Sequence, residues 1–399
     1  MFDRALKGGA TYWYWILFLV TLIVGGAIVY GIQLQKGLII TGMSRDVSWG
    51  LYISQLTFLV GVAASAVVLV LPYYLHNDKV FGPITILGEF LAISAIIMCL
   101  LFVVADLGKP SRLANLFLYP TPNSILFWDA IVLTGYLLLN LIIGWNALSA
   151  ERKGIRLQKW VKVLIFISIP WAVSIHTVTA FLYAGLPGRH LWLTAVLAPR
   201  FLASAFAAGP AILILLSLLI RRVSRFDPGS EAIQKLAVIM TYTLIINGFL
   251  LVLELFTSFY SNIPSHMEPF VYLFGGLEGQ GKLAPWMWVS VSTGGAAILL
   301  LLVPATRREE GTLVVASVLT LVSLWIDKGL CLVVAGFIPS PLEHVTQYAP
   351  TSPEVAITIG IYSMGALILT VLYKMAVSIK EETMTNHSGK NRGHHPNGG

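Results

Sequence analysis

Charged side chains occur inside several of the most hydrophobic stretches of this sequence, where chemistry is the usual reason for keeping them. The stretch SLWIDKGLCLVV places Asp327 beside Lys328 in an otherwise apolar run, and His176 and Glu254 occupy similar settings elsewhere. A charge at the centre of a bilayer costs at least about 2.5 kcal/mol, so such residues are candidates for proton transfer or ligand binding. What they can do depends on the helices that hold them.

The composition is that of an integral membrane protein. Of 399 residues, 57% are hydrophobic and 11% are charged, whereas soluble domains carry about 25% charged residues. Ten stretches are long enough to cross about 30 Å of hydrocarbon as helices. They cover residues 12–34, 50–75, 84–105, 125–148, 160–184, 200–220, 236–261, 286–304, 312–337 and 354–377. The first exceeds a signal-peptide core and is expected to be retained.

Lysine and arginine predict the orientation. Of the 26 such residues, 18 fall on the side of the two termini, seven fall on the opposite side, and Lys328 lies within a span. Because positive charges accumulate on the cytoplasmic side, we predict a multi-pass protein of the cell membrane with both termini cytoplasmic. The net charge of +7 reflects this topology and requires no nucleic-acid partner. The polar tail, 381–399, is expected to be disordered and cytoplasmic.

A weak internal repeat divides the transmembrane domain, residues 1–380. His176 precedes an Ala-Gly pair by eight residues, and so does Asp327. At the same offset of about 150 residues, WGLYIS matches PRFLAS, and Trp128 has a counterpart in Trp288 or Trp286. The ten spans predict an all-α fold with ten transmembrane helices, and the repeat predicts that this fold contains two related halves. Helices 2–5 (about 50–184) and 6–9 (about 200–337) form two related four-helix bundles, flanked by helices 1 and 10.

The histidines and cysteines argue against a bound metal cofactor. A transmembrane b-type haem needs two facing axial ligands, and only His176 lies deep in a span. Cys99 and Cys331 are single residues within spans and form no CxxC motif, so neither an iron–sulfur cluster nor a zinc site is encoded. The sequence predicts no haem, no iron–sulfur cluster and no other metal in this chain.

Most of the intramembrane ionisable residues lie near the outer ends of their helices. An amphipathic redox molecule such as a quinol needs an apolar slot for its tail and polar groups that exchange protons with its head. The predicted quinone pocket of the first bundle comprises Tyr52, Asp106, Trp128, Asp129, His176 and Tyr183. The residues predicted to transfer protons are Glu89, Arg200, Glu254, Asp327 and Lys328.

Structural roles for the same residues stay open. Asp106 and Arg200 stand at helix ends, where they can reach interfacial water, and Asp129 can interact with the dipole at the start of its helix. His176 can be a hydrogen-bonded core histidine. The Asp327–Lys328 or Glu254–Lys328 combination can be a neutralised ion pair without any part in chemistry.

Four motifs carry a family resemblance. In them the chain resembles the NrfD family, the quinone-interacting membrane subunits typified by that of polysulfide reductase. The motifs are SWGLYI (48–53), ADLGKPSR (105–112), FWD (127–129) and APRFLAS (198–204). The second is similar to the family's D-L-G-R-P-x-R signature, with Lys109 in place of the usual arginine, and it adds Arg112 to the expected quinone site. With ten helices the chain looks most like DsrP, from the DsrMKJOP complex of sulfur-metabolising prokaryotes, and similar ten-helix subunits occur in the quinone reductase complex of sulfate reducers and in alternative complex III.

The resemblance implies a cofactorless subunit that binds menaquinone near the outer face and exchanges electrons with an external, ferredoxin-like iron–sulfur protein. A multihaem cytochrome c, a membrane protein with b-type haem and a cytoplasmic iron–sulfur protein are the further partners it implies, in a respiratory or sulfur-metabolism complex. Proton translocation is an additional expectation. Two other interpretations remain: an ion or small-solute transporter, which buried charges in repeated bundles suit, and a passive membrane anchor.

Overall fold

The computed structural model describes residues 2–392. Within this range the chain is helical between its loops, and ten helices are long and apolar enough to cross a membrane. Each overlaps one predicted stretch, which confirms the all-α fold class with ten spans. The helices are α1 (Ala10–Lys36), α2 (Leu51–Leu75), α3 (Lys79–Asp106), α4 (Ile125–Lys153), α5 (Lys159–Ala184), α6 (Leu197–Val223), α7 (Ser230–Tyr260), α8 (Ala284–Leu302), α9 (Glu310–Ala335) and α10 (Ser352–Glu382).

Ten crossings bring the end of α10 back to the side on which α1 begins. On this side, the termini face, Arg4 pairs with Glu382 at 2.6 Å. The opposite side, the loop face, carries the connections 37–50, 107–124, 185–196, 261–283 and 336–351. Helix α10 continues to Arg392, so residues 381–392 are helical where the sequence predicts disorder. The rest of the predicted tail, 393–399, lies outside the described residues.

Two of the helices contain a wider turn. The end of α2 is a π-helix over Leu71–Leu75, which includes Pro72, and the middle of α9 is a π-helix over Trp325–Cys331. Such turns rotate the following side chains relative to a regular helix and are frequent at functional sites. The turn in α9 contains both Asp327 and Lys328, so the direction in which each points is set by an irregular segment.

The helices form two bundles with a shared wall. Helices α2–α5 pack as the first and α6–α9 as the second, while α2 also packs against α6 and α9. Of the most apolar 18 residues of α2, 83% are buried inside the protein, against 11% for the corresponding segment of α1. Helix α2 is therefore central, whereas α1 faces lipid along most of its length.

The heads of α4 and α8 show how the two bundles correspond. The Trp128 indole donates a hydrogen bond to the carbonyl of Pro122 at 2.8 Å, and the Trp288 indole donates to the carbonyl of Phe274 at 2.9 Å. Each tryptophan thus ties the first turn of its helix to the preceding connection. This shared contact favours Trp288 over Trp286 as the counterpart of Trp128.

Helices α1 and α10 pack together outside both bundles, and α10 also packs against α3. A Cβ atom on Gly26 would lie 2.8 Å from the Cα of Gly360. The two backbones therefore touch at a point where neither residue can carry a side chain without moving a helix. The flanking helices thus form a close pair, of which α10 packs directly on α3.

Candidate functional site

Arg200 is the centre of a buried ion-pair network in the second bundle, which we call the arginine cluster (Arg200, Glu254 and Asp327). Its guanidinium donates a hydrogen bond to Asp327 Oδ1 at 2.5 Å and another to Glu254. All three residues are buried. Helices α6, α7 and α9 each supply one member, so the network holds this bundle together across its interior. The partner of Asp327 is thus Arg200, not the adjacent Lys328.

Lys328 forms no ion pair with the carboxylates of the arginine cluster, and its Nζ lies between α6 and α2. Its Nζ donates a hydrogen bond to the carbonyl of Phe201 at 3.3 Å and lies 4.4 Å from the centre of the Phe201 ring. The lysine can approach α2 because position 61 is glycine: a Cβ there would lie 3.2 Å from Nζ. With Lys328 included, the two cations balance the two carboxylates, which limits the cost of burying four charges.

The arginine cluster has no room for an organic ligand. A short helix of the loop face, Pro264–Phe274, packs over this end of the bundle. The cavity beside Arg200 and Asp327 measures only 10 Å³ and is closed by Phe270, Leu273 and other apolar side chains. Such a space accepts one water molecule at most.

A second polar group, the histidine cluster (Thr57, Asp129, His176, Thr179 and Tyr183), lies inside the first bundle. Thr179 donates a hydrogen bond to Asp129 Oδ1 at 2.7 Å, and the hydroxyls of Tyr183 and Thr57 form a short hydrogen bond. His176 is buried, and neither ring nitrogen has a hydrogen-bond partner within the part of the chain that the structure describes. An unpaired buried imidazole is costly unless it serves a ligand or a moving proton.

Four aromatic rings close the histidine cluster from the loop face. Trp49 packs edge-on against Tyr183 and Phe337, and Trp192 packs against the same two rings. The Trp192 indole also donates to the carbonyl of Leu332 at 2.8 Å, which fixes this lid to α9. A large molecule therefore cannot reach His176 directly from the loop face without displacing the lid.

A third polar group, the carboxylate cluster (Gln33, Tyr52, Asp106, Tyr348 and Glu354), lies where α1, α2, α3 and α10 meet the loop face. Tyr52 donates a hydrogen bond to Gln33 Oε1 at 2.7 Å, and Gln33 Nε2 donates to the carbonyl of Ala105 at 2.7 Å. The side chain of Gln33 is thereby held next to Asp106, the last residue of α3. The cluster combines one amide, two phenols and two carboxyl groups.

Glu354 anchors the carboxylate cluster. It is fully buried and accepts hydrogen bonds from the Tyr348 hydroxyl at 2.7 Å, the Gly42 amide at 2.7 Å and the Thr351 amide at 2.8 Å. Burial, with the Glu354 carboxylate beside it, raises the pKa of the Tyr348 phenol above its usual range. The Tyr348 hydroxyl therefore stays protonated and donates to Glu354 while it accepts from the Leu51 amide at 2.7 Å.

Asp106 has an unused hydrogen-bonding atom. Its Oδ1 is buried and has no partner among residues 2–392. Gln33, which accepts from Tyr52, donates to the carbonyl of the preceding residue, Ala105. The arrangement presents a buried carboxyl oxygen, flanked by a phenol and an amide, at the loop-face end of α3.

The structure brings most of the predicted residues together, but in three groups rather than the two predicted sets, because the predicted quinone pocket is divided. Tyr52 and Asp106 join the carboxylate cluster, while Asp129, His176 and Tyr183 form the histidine cluster under the aromatic lid. Arg112 and Trp128 are exposed and join neither group. Glu89 lies apart in the termini-face half, buried, with no partner for its Oε2 in the described chain.

The sequence reasoning missed Gln33, Tyr348 and Glu354. Gln33 and Glu354 stand within the first and last helices, outside the repeated bundles that the sequence pattern emphasises. Their signal was available: each is a polar residue near the end of an apolar span, as Asp106 is. Tyr348 lies in a loop, and nothing in the sequence marked it. For metals, no set of three or more His, Cys, Asp or Glu side chains suited to an ion exists in the described range.

Comparisons with known proteins identify the family of the chain. The sequence model of the polysulphide reductase NrfD family matches residues 40–339. A Halobacterium salinarum protein whose name assigns it as a membrane subunit of dimethyl sulfoxide reductase is 28% identical over 89% of each chain. A selenate reductase subunit from Mesobacillus selenatarsenatis is 26% identical over 67% of this chain and 72% of its own.

A third relative matches nearly the whole chain. The Hdr-like menaquinol oxidoreductase integral membrane subunit of Archaeoglobus fulgidus is 22% identical over 93% of this chain and 95% of its own. All three relatives are named as subunits of redox enzymes. The family match covers more than half of the chain and includes both bundles. The protein is a multi-pass membrane subunit that belongs to the polysulphide reductase NrfD family.

Proposed function

We propose that this chain is the quinone-interacting membrane subunit of a redox complex and that it binds menaquinol at the carboxylate cluster. The observation that carries the proposal is the buried Oδ1 of Asp106, which has no hydrogen-bond partner among the described residues and lies next to the Tyr52–Gln33–Ala105 chain of hydrogen bonds. A quinol hydroxyl can donate to this oxygen, whereas the Tyr52 and Tyr348 hydroxyls already donate to Gln33 and Glu354. Oxidation of the quinol releases two electrons and two protons, and the carboxyl group is suited to accept a proton.

The orientation and the partners follow from the same proposal. With both termini in the cytoplasm, the loop face is external, and a ferredoxin-like iron–sulfur protein docks there and accepts the two electrons. The names of the relatives, a menaquinol oxidoreductase subunit among them, support an assembly of several subunits. The DsrP-like version of this assembly also includes a multihaem cytochrome c, a membrane protein with b-type haem and a cytoplasmic iron–sulfur protein.

We further propose which groups carry the protons that the quinol releases. Both ring nitrogens of His176 lack a partner in the described chain, and Lys328 reaches the same bundle at Gly61. Deeper in the first bundle, toward the termini face, Glu89 has an unpartnered oxygen. These groups are the candidates for carrying protons inward from the quinol, whereas Arg200 is fixed between two carboxylates and keeps its proton.

Asp106→Asn tests the quinone site. In lipid nanodiscs, the full chain is expected to bind menaquinone saturably, as measured by quenching of its tryptophan fluorescence. The variant is expected to bind the reduced quinol about tenfold more weakly, because one charge-assisted hydrogen bond is lost. Asp46→Asn is the matched control, since Asp46 lies on the same face but accepts a hydrogen bond from Thr346. Absence of saturable binding by the wild type would contradict the function, and unchanged binding by Asp106→Asn would contradict the site.

A further inference from the structure

An apolar groove runs along the lipid-facing side of the protein between α1, α3 and α10. Its volume is 150 Å³, and its walls include Ala27 of α1, Leu101 of α3 and Met364 of α10. Because liquid water occupies roughly 30 Å³ per molecule, the groove can hold several carbon atoms of a branched chain. Ala27 is exposed, so the groove opens toward the membrane.

The groove leads to the carboxylate cluster along α1 and α3. Tyr30 lines it, and Gln33 follows one turn nearer the loop face on α1. Ala105 also lines it, and Asp106 follows directly on α3. The Tyr30 hydroxyl donates to the carbonyl of Val104 at 3.3 Å and marks the boundary between the apolar and polar parts.

Helix α10 shows the same order from groove to cluster. Ile357 lines the groove, and Glu354 lies three residues earlier, nearer the loop face because α10 runs in the opposite direction. Gly26 and Gly360 also line the groove where the backbones of α1 and α10 touch. On all three helices, therefore, an apolar wall lies directly below a polar residue of the carboxylate cluster.

We propose that this groove binds the isoprenoid tail of the quinone, which enters from the lipid on the exposed side of Ala27 and places its ring at Asp106. The inference rests on the proposed function and adds a tail site formed by the two helices that flank the bundles. The tail would then cover the part of α1 that lines the groove.

The charges at the head of the groove favour a quinol over a phospholipid. Asp106 and Glu354 contribute two carboxyl groups there, and a phosphate placed beside them would meet like charge in a setting of low dielectric. A quinol head is neutral and brings hydroxyl donors to an acceptor that lacks one. The groove and the cluster thus match the two ends of the same molecule.

Ala27→Phe tests the tail site, since the new ring would fill the groove from its exposed side. The full chain in nanodiscs is titrated with menaquinone, which carries a long isoprenoid tail, and with menadione, the same type of ring without a tail. The variant is expected to weaken menaquinone binding about tenfold and to leave menadione binding unchanged. Ile28→Phe is the matched control, because Ile28 is exposed on the same helix and does not line the groove.

Ile23→Phe provides a second obstruction one turn lower and is expected to give the same selective loss. Equal weakening of both ligands, or menaquinone binding unchanged in both groove variants, would overturn the tail site. If the wild type binds neither quinone, the proposed function itself fails. If it binds both and the groove variants behave like Ile28→Phe, only the tail site fails.

Discussion

Replacing Arg200 with methionine is expected to lower the free energy of unfolding by about 3–5 kcal/mol, the usual cost of breaking a buried ion pair. The variant leaves Glu254 and Asp327 buried without their shared cation, and the net charge of the four-residue set with Lys328 changes from zero to −1. Methionine fills a similar volume, so the loss measures charge rather than packing. The measurements are the amount of protein in the membrane and its midpoint of thermal unfolding in nanodiscs.

Adding Glu254→Gln to the Arg200→Met variant tests whether the lost stability is due to charge. The double variant Arg200→Met with Glu254→Gln keeps Asp327 and Lys328 and returns the net charge to zero, so we expect it to recover part of the lost stability. Arg45→Met, at an exposed loop-face arginine, is the matched control and should unfold like the wild type. If Arg200→Met were as stable as Arg45→Met, the arginine cluster would not be what holds α6, α7 and α9 together.

Hydropathy was sufficient to predict the fold, because the cost of exposing backbone groups to lipid leaves few alternatives to a helix. Every predicted span corresponds to a helix. The depth of each ionisable residue also followed from its distance to the end of its span. This is why Arg200, Glu254 and Asp327 could be assigned to a common level before their contacts were known.

Which of these residues touch one another could not be predicted. Asp327 and Lys328 are adjacent in sequence, yet the first pairs with Arg200 and the second points toward α2, because the π-helix over Trp325–Cys331 sets their directions. The partners of Arg200 are 54 and 127 residues away. Helix rotation and packing decide such contacts, and hydropathy carries no information about either.

At the proposed quinone site, too, the sequence did not show which residues lie together. Asp106 was selected for its place at a helix end, and its part in quinone binding stays a prediction. Gln33 and Glu354, however, come from the helices outside the repeat, and only the packing of α1 and α10 against α3 brings them to Asp106. Trp128 was chosen for its position at the head of α4, but its side chain turns outward to cap the preceding loop.

Lys328→Met separates the two roles that the sequence left open for the Asp327–Lys328 pair. Without the lysine, the buried set of Arg200, Glu254 and Asp327 carries a net charge of −1, and we expect less protein in the membrane. If Lys328 also passes protons between the two bundles, quinol oxidation by the protein that does assemble should fall about 10²-fold, the usual contribution of a proton-transfer group. Binding of quinol should change little, because Lys328 lies outside the carboxylate cluster.

The double variant Lys328→Met with Glu254→Gln decides between them. It restores a net charge of zero, so the amount of assembled protein should return toward that of Glu254→Gln alone. A proton-transfer role predicts that turnover per assembled complex nevertheless stays about 10²-fold below that of Glu254→Gln, since no titratable group replaces the lysine. Recovery of turnover together with assembly would show that Lys328 only balances charge. We expect the first outcome, because Lys328 has no carboxylate within ion-pair distance in the described chain and its Nζ reaches Gly61 of α2, in the first bundle.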